Sequence, residues 1–171
     1  VVIVTGSGNQ GITASVPVIR YAKHIGASDE RLYRALLVSD LVTIHQKTGI
    51  GRLSAYCGAV SAGCGAGAGI AYLLGGDYRA IAHTIVNAVA ILSGTICDGA
   101  KPSCAAKIAS AVEAGILGYY MYVNDQQFRG GDGIVAKGVE NTIRNVGLLA
   151  SQGMKQTDRV ILNIMTGDQC L

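Results

Sequence analysis

The sequence predicts a mostly α-helical domain rich in glycine and alanine, and three observations support this fold class. Apolar residues recur at intervals of three and four along several segments, as they do on one face of a helix. Residues that cap or end helices, such as Ser28, Asp77 and Gly94, lie at the borders of these segments. Only Val1–Thr5 is a β-branched run of the kind found in extended chain. We therefore expect one compact domain over 1–171, with roughly six to eight helices and a short extended N-terminal segment.

The predicted helices follow from these borders in chain order. The second helix begins at Ser28 and carries an apolar face, and Gly75 and Gly76 end the third. The segment NDQQFRGGDG, which follows the fifth helix, is a loop by composition. The predicted spans are Val16–Ile25, Ser28 to about Gln46, Ala55–Leu74, Asp77–Gly94, Ser103–Val123, Val139–Ser151 and Asp158–Ile164.

The composition indicates a core of small residues. Half of the 171 residues are hydrophobic and only 15% are charged, while aromatic residues are few. The 24 glycines allow helix backbones to approach one another closely. The most apolar stretch, Ala55–Leu74, is a ribbon of glycine and alanine, which favours a buried helix or an oligomer interface over a membrane span. We expect a homo-oligomer and no membrane partner.

Charge and cysteine content exclude several classes of function. The net charge is +3, and the basic residues are scattered singly, which argues against a nucleic-acid partner. No basic region precedes the first apolar run, so no signal peptide is predicted. Five cysteines are an odd number for a disulfide framework, and a cytoplasmic, reducing location is expected. Because the chain begins inside an apolar segment without Met, we expect it to be part of a longer protein.

A glycine motif, TGSGNQG, fits the dinucleotide pattern G-x-G-x-x-G but lacks its context. The dinucleotide fold needs a second strand that ends in an acidic residue, whereas Asp29 and Glu30 begin a predicted helix. Pro17 would also lie inside the helix that opens such a motif. We therefore expect no NAD. The polar residues of the motif could form an anion-binding nest for a carboxylate or phosphate, or an ordinary surface turn.

The cysteines fall into two groups and a tail. Cys57 and Cys64 are seven residues apart on a predicted helix, and Cys97 and Cys104 bracket the turn CDGAKPSC. No C-x-x-C pair is present, which leaves a zinc ribbon or a thioredoxin-like motif unsupported. Thiols with irregular spacing suit iron–sulfur clusters. Cys57 and Cys64 could equally be small core residues, and this interpretation is favoured for Cys64.

Three stretches make the chain recognisable: TGSGNQGITASVPVI, KTGIGRLSAYCGAVSAGCGAGAGIAYLLGG and GTICDGAKPSCAAKIASAV. They resemble the α domain of the iron–sulfur L-serine dehydratases, and are most similar to the branch that contains the L-cysteine desulfidases. The likeness extends over about Val2–Met165. It implies a [4Fe–4S] cluster held by Cys57, Cys97 and Cys104, with an open iron that acts as a Lewis acid.

The resemblance also implies the reaction and the remaining parts of the protein. The enzyme would be a lyase that eliminates hydrogen sulfide from L-cysteine or water from L-serine and yields pyruvate and ammonia, without pyridoxal phosphate. An N-terminal domain or β subunit, absent from this chain, would complete the active site. This chain would then be a C-terminal domain or an α subunit. The alternative is a cluster-free homologue that serves as a regulatory or oligomerisation domain.

The substrate-binding residues follow from the glycine motif. We expect Ser7, Asn9 and Gln10 to hold the substrate carboxylate, with three cations as alternatives: Lys47, Arg52 and Lys101. The general base is not identified, because position alone supports none of the imidazoles of His24, His45 and His83. The resemblance allows Cys170 to close the open iron, but Cys170 could also be a free tail thiol.

Overall fold

The computed structural model describes residues 3–52 and 54–167, which form seven α-helices. A single π-helical turn, Leu149–Gly153, lies between the last two helices. Within these ranges the only β pairings are two isolated bridges, between Val4 and Ser7 and between Tyr56 and Ile96. The predicted all-α fold class is therefore confirmed. The helices are α1 Gly8–His24, α2 Asp29–Ile50, α3 Gly58–Leu73, α4 Tyr78–Leu92, α5 Cys104–Val123, α6 Val139–Leu148 and α7 Lys155–Thr166.

Helix α3 is the centre of the fold and packs against α1, α2, α4 and α5. Fifteen of its sixteen residues are buried. Its glycines allow direct backbone contact with α5, because a Cβ on Gly67 would lie 2.5 Å from Gly115 Cα and one on Gly63 would lie 2.5 Å from Ala111 C. A step of four residues along α3, from Gly63 to Gly67, corresponds to a step of four residues in the same direction along α5, from Ala111 to Gly115. Helices α3 and α5 therefore run parallel. None of the helices in the described ranges is long and apolar enough to cross a membrane.

Helix α2 makes its closest contact with α3 through small residues. A Cβ on Gly65 would lie 2.2 Å from Thr43 Oγ1 and 2.5 Å from Ser39 O, so this contact admits only small side chains. The apolar face noted in the sequence is divided, because Leu32 and Leu36 pack against the core whereas Leu37 and Leu41 are 60% and 62% exposed. An apolar helical face ordinarily marks the side that packs on the core. Here part of that face stays exposed, since the closest contact with α3 is made by small residues.

Helix α1 begins eight residues earlier than predicted, inside the glycine motif, and Pro17 lies within it. The predicted start at Val16 is therefore wrong. The proline costs about 3 kcal/mol in a helix interior, but tertiary contacts hold this helix on both sides of it. Ala14 and Val18 are fully buried, and Ser39 Oγ donates a hydrogen bond of 2.7 Å to Ala14 O. Pro17 inside the helix therefore does not exclude a dinucleotide turn. The missing second strand does exclude it, because the chain is helical from Gly8 to His24.

Other borders agree more closely with the sequence. The predicted caps are confirmed, since Ser28 accepts a hydrogen bond from Arg31 N and Asp77 accepts one from Ala80 N. Helix α3 starts three residues later than expected, so Cys57 is the residue before the helix and does not share a helical face with Cys64. Helix α7 is longer at both ends than the predicted span. Val1 and Val2 of the predicted extended segment lie outside the described residues.

Candidate functional site

A cavity of about 140 Å³ lies where α1, α3 and α5 begin. The structure brings to its wall all six residues expected to hold the cluster or the substrate carboxylate, although they come from three separate parts of the chain. These residues are Ser7, Asn9, Gln10, Cys57, Cys97 and Cys104. Their proximity is a finding of the structure, whereas their roles as ligands of a cluster or a substrate remain predictions.

The three helix starts give the cavity a positive electrostatic character. The first N–H groups of a helix lack intrahelical partners, and the helix dipole places a partial positive charge at this end. Lys47, Arg52 and Lys107 also line the cavity, and no Asp or Glu does so among the residues the structure describes. Such a site favours anions, including thiolates and carboxylates.

Cys57 and Cys97 are held side by side by the backbone. Cys57 N donates a 3.1 Å hydrogen bond to Thr95 O, and Cys97 N donates one of 2.6 Å to Ala55 O. These bonds flank the Tyr56–Ile96 bridge. The interaction between the two thiols lowers the pKa of Cys97 and, together with burial, raises the pKa of Cys57. Cys97 is therefore the more readily ionised member of the pair.

Cys104 is the first residue of α5, and it lines the cavity. Its sulfur accepts a hydrogen bond of 3.4 Å from Lys101 N. Asp98, in the same turn, is bound by Lys107 Nζ at 2.8 Å and by Lys101 Nζ at 3.2 Å. These two ammonium groups, Lys107 first, hold the pKa of the Asp98 carboxyl well below its ordinary value. The turn between the two cysteines is therefore a charged, internally bonded unit.

The three residues expected to hold a substrate differ in how free their side chains are. The Ser7 hydroxyl caps α1 by accepting from Gln10 N at 3.3 Å. The Gln10 side chain accepts from Thr5 Oγ1 at 2.8 Å and packs so tightly on Gly58 that a Cβ there would lie 2.3 Å from Gln10 Nε2. The Asn9 side chain has no hydrogen-bond partner within the described ranges. Asn9 is thus the member of this set with an uncommitted amide.

Lys47 is the most buried cation of the cavity wall, with only 6% of its surface exposed. It forms no ion pair with any carboxylate in the part of the chain that the structure describes. Burial lowers its pKa, and the nearby Cys97 and Cys57 sulfurs oppose that effect. By contrast, Arg52 is exposed and Lys101 is bound to Asp98. Among the three cations considered from the sequence, Lys47 is therefore best placed to bind an anion inside the cavity.

Tyr56 also lines the cavity, and sequence reasoning did not identify it. The residue is 1% exposed, and its hydroxyl has no hydrogen-bond partner among the described residues. Burial raises the pKa of this phenol. In the sequence, a single tyrosine beside a cysteine looks the same whether it belongs to a functional site or to the core.

Other candidates lie away from the cavity. Cys64 is 1% exposed in the core, its sulfur is 3.5 Å from Ile85 O, and burial raises the pKa of its thiol to about 12. None of His24, His45 and His83 lines the cavity. His45 Nε2 lies 2.7 Å from Glu140 Oε2 and joins α2 to α6. Cys170 lies outside the described residues.

The chemistry of the three thiols allows them to hold an iron–sulfur group. Among the described residues, no three His, Cys, Asp or Glu side chains are grouped closely enough to hold a metal ion. The thiols of Cys57, Cys97 and Cys104 are free of disulfides and line one positively charged cavity. Iron–sulfur clusters take thiolate ligands in this way, and nearby positive groups offset the negative charge of the cluster. The donor set is therefore compatible with the implied group.

Comparison with known proteins identifies the class of protein. A family model described as the serine dehydratase alpha chain matches residues 1–163. The chain therefore belongs to the serine dehydratase alpha chain family, which confirms the resemblance drawn from its motifs.

Individual relatives are also highly similar. A UPF0597 protein of Desulfitobacterium hafniense (strain Y51) is 69% identical over 170 residues, which are 99% of this chain and 39% of the relative. UPF0597 proteins of Treponema denticola and Lachnoclostridium phytofermentans are 52% and 54% identical, and each match covers 96% of this chain and 38% and 40% of the relative. The chain thus spans about two fifths of the length of these curated relatives. No solved structure matches the chain.

Proposed function

We propose that this chain is the cluster-binding part of an amino-acid lyase that eliminates hydrogen sulfide or water from a small L-amino acid. The observation that carries the proposal is the convergence of Cys57, Cys97 and Cys104 with three helix starts on one small cavity. Membership of the serine dehydratase alpha chain family supports the reaction class. The similarity of the motifs to those of the L-cysteine desulfidases favours L-cysteine over L-serine.

In this proposal Cys57, Cys97 and Cys104 hold a [4Fe–4S] cluster. When bound, a cluster with an open iron supplies a Lewis acid that can polarise the leaving group or the carboxylate of the substrate. The protein contributes a small cavity whose wall is already positively charged. Because such fixed dipoles need no rearrangement during the reaction, they stabilise developing negative charge effectively.

We assign the substrate carboxylate to Asn9 and Lys47. Asn9 offers an uncommitted amide on the first turn of α1, and Lys47 offers a buried ammonium without a carboxylate partner among the described residues. Ser7 and Gln10 then act as positioning residues, since their side chains hold the shape of the α1 start. The small cavity matches a substrate of few atoms, because sites for drug-sized ligands measure roughly 300–1,000 Å³.

The base that removes the α-proton comes, in this proposal, from outside this chain. No histidine lines the cavity, and no carboxylate does so within the described ranges. The two lysines of the wall are candidates for charge stabilisation rather than proton abstraction, because Lys107 is bound to Asp98 and Lys47 is assigned to the carboxylate. A second domain or a β subunit would then close over the cavity and supply the base.

We place that second part against the outward face of α2. Tyr33, Leu37, Leu41 and Ile44 form an exposed apolar stripe on this helix, with exposures between 46% and 62%. Large exposed apolar patches often mark interaction surfaces. The relatives are more than twice as long as this chain, so a full-length protein would have a further part that could cover this face.

The experiment that tests the proposal is anaerobic reconstitution of the full-length protein with iron and sulfide. We expect charge-transfer absorbance of a cluster, release of sulfide and pyruvate from L-cysteine, and loss of both in Cys57→Ser, Cys97→Ser and Cys104→Ser. Cys64→Ala is the matched control, because this thiol is buried away from the cavity. Assays with L-serine under the same conditions show which of the two amino acids is the substrate.

Two outcomes would contradict the proposal. If the wild-type protein takes up no cluster under these conditions, the chain is the cluster-free homologue with a regulatory or oligomerisation role. If the three serine variants retain the absorbance of the wild type, the cluster is held by other residues and the cavity has a different purpose.

A further inference from the structure

A second cleft lies on a different part of the molecule, between the start of α4, the start of α6 and the connection 124–138 that joins α5 to α6. Its volume is about 530 Å³, within the range of small-molecule sites, which is roughly 300–1,000 Å³. It shares no lining residue with the cysteine cavity. None of the functions discussed above uses it.

The cleft is lined by cations that have no anionic partner. Arg79, Arg129 and Lys137 all line it, and none of them takes part in an ion pair among the described residues. No Asp or Glu of the described ranges lines it. The nearby Asp132 carboxylate accepts a hydrogen bond of 2.6 Å from Arg129 N and so serves the loop backbone.

The start of α6 adds a further attraction for anions. Gly138 precedes this helix and provides no side-chain cap, so the first turn lacks the side-chain acceptor that Ser28 and Asp77 give to their helices. Gly138 and Val139 both line the cleft. An anion bound there would face the positive end of the helix dipole as well as the three cations.

The rest of the wall is mainly apolar and aromatic, and it also holds the imidazole of His83 and one unsatisfied polar atom. Tyr78 and Phe128 line the cleft together with Ala82 and Val86. Gln127 also lines it, and its Oε1 is buried without a hydrogen-bond partner in the described part of the chain. A ligand with a planar group and an N–H or O–H donor would satisfy both features.

The loop that forms one wall is anchored to the core. Asn87 is fully buried, accepts from Phe128 N at 3.0 Å and donates to Gly118 O at 3.0 Å. Asn145 Nδ2 donates to Ile134 O at 2.9 Å. Long connections without regular structure are usually either functional or disordered. These bonds to buried groups make this one an ordered, preformed wall.

We propose that this cleft binds a small phosphate ester that carries a flat, partly apolar group, of the kind a nucleoside monophosphate represents. Arg79, Arg129, Lys137 and the start of α6 hold the phosphate. Tyr78 and Phe128 contact the planar group, and Gln127 Oε1 accepts a hydrogen bond from it. Three cations and a helix start suit a doubly charged phosphate better than a single carboxylate.

Isothermal titration of the full-length protein tests this site, with AMP, adenosine and inorganic phosphate as the probes. We expect AMP to bind most tightly, phosphate to bind more weakly and adenosine not to bind. Arg129→Gln/Lys137→Gln should weaken AMP binding at least about tenfold. Arg20→Gln/Lys23→Gln on α1 is the matched control, since it removes two exposed positive charges elsewhere. Phe128→Ala should bring the affinity for AMP close to that for phosphate.

The proposal is overturned if AMP and phosphate both fail to bind, if adenosine binds as well as AMP, or if the control variant loses as much affinity as the cleft variant. Circular dichroism establishes that each variant is folded. The cluster absorbance of all variants should equal that of the wild type, because the two sites share no residue. Failure of this proposal is therefore distinguishable from failure of the proposed lyase activity.

Discussion

The ammonium group of Lys107 lies 2.8 Å from a carboxylate oxygen of Asp98, and this contact joins the turn that carries Cys97 to the helix that begins at Cys104. Lys107 Nζ also donates to Ile96 O at 3.0 Å. Its side chain is 24% exposed, less than the 41% of Lys101, which binds the other oxygen of Asp98. The two lysines therefore form a natural pair for comparison.

Lys107→Met should loosen this turn, whereas Lys101→Met should have little effect. Hydrogen bonds to charged groups contribute about 1.5–3 kcal/mol, while exposed ion pairs contribute about 0–1 kcal/mol. We expect Lys107→Met to reduce the free energy of unfolding by about 1–2 kcal/mol, measured by urea denaturation. It should also lower cluster uptake on reconstitution. Equal losses in both variants would show that the difference in burial has no consequence.

Gly67→Ala tests the contact between α3 and α5. The added Cβ would lie 2.5 Å from Gly115 Cα, and the backbone has no side chain to move aside. Overpacking of this kind costs about 1–3 kcal/mol of unfolding free energy. Gly49→Ala in α2 is the matched control, because its Cβ would make only an ordinary contact at 3.4 Å. The control should be neutral or stabilising by up to about 1 kcal/mol, since alanine favours helix. Comparable losses would contradict the close-contact explanation.

The outward stripe of α2 should be covered in the full-length protein. Hydroxyl-radical footprinting reports the exposure of single side chains, and Leu162 in α7 is a control of the same type with 54% exposure. We expect Leu37 and Leu41 to react several-fold more slowly than Leu162. Protection that disappears on dilution would instead indicate a second copy of the chain. Equal reactivity of the three leucines would remove the stripe as an interface.

Asp40→Asn should stabilise the protein at neutral pH. Asp40 Oδ1 is buried without a partner in the described ranges, and the residues around it are uncharged, so burial raises the pKa of this carboxyl. A pKa that is higher in the folded state than in the unfolded state means that ionisation of the carboxyl opposes folding. The loss of folding free energy is present at pH values above the folded-state pKa and absent at pH values below the unfolded-state pKa. The gain from Asp40→Asn should therefore appear at about pH 7 and vanish at about pH 3, below the ordinary Asp pKa of about 3.9. Urea denaturation at both values measures it.

The elements that the sequence predicts well are those whose signals are local. Ser28 and Asp77 cap helices through hydrogen bonds within one turn, and a residue type followed by apolar periodicity is sufficient to find them. The sequence does not predict the start of α1, because Pro17 is unfavourable locally and the burial of Ala14 and Val18 that outweighs it is a tertiary effect. The outward direction of Leu37 and Leu41 depends on the glycines of a different helix.

In the candidate site, too, local sequence signals predict some features, whereas others depend on tertiary contacts. The motifs around Cys57, Cys97 and Cys104 are distinctive, and family membership followed from them. Spacing alone, however, placed Cys57 on a helical face with Cys64, whereas the chain before α3 pairs with the segment of Cys97. Burial distinguishes Lys47 from the other cations, and no local pattern encodes it.

The backbone contact between α3 and α5 also has a meaning for the cysteines. Both helices start at the cavity and run parallel, with Cys57 immediately before one and Cys104 first in the other. Because the helices touch through Gly63, Gly67 and Gly115, main-chain contact sets the distance between the two helix starts. A larger residue at any of these glycines would push the starts apart and move the backbone of Cys57 and Cys104 with them. The glycines inside the two helices thereby help to set the width of the cavity between the two cysteines.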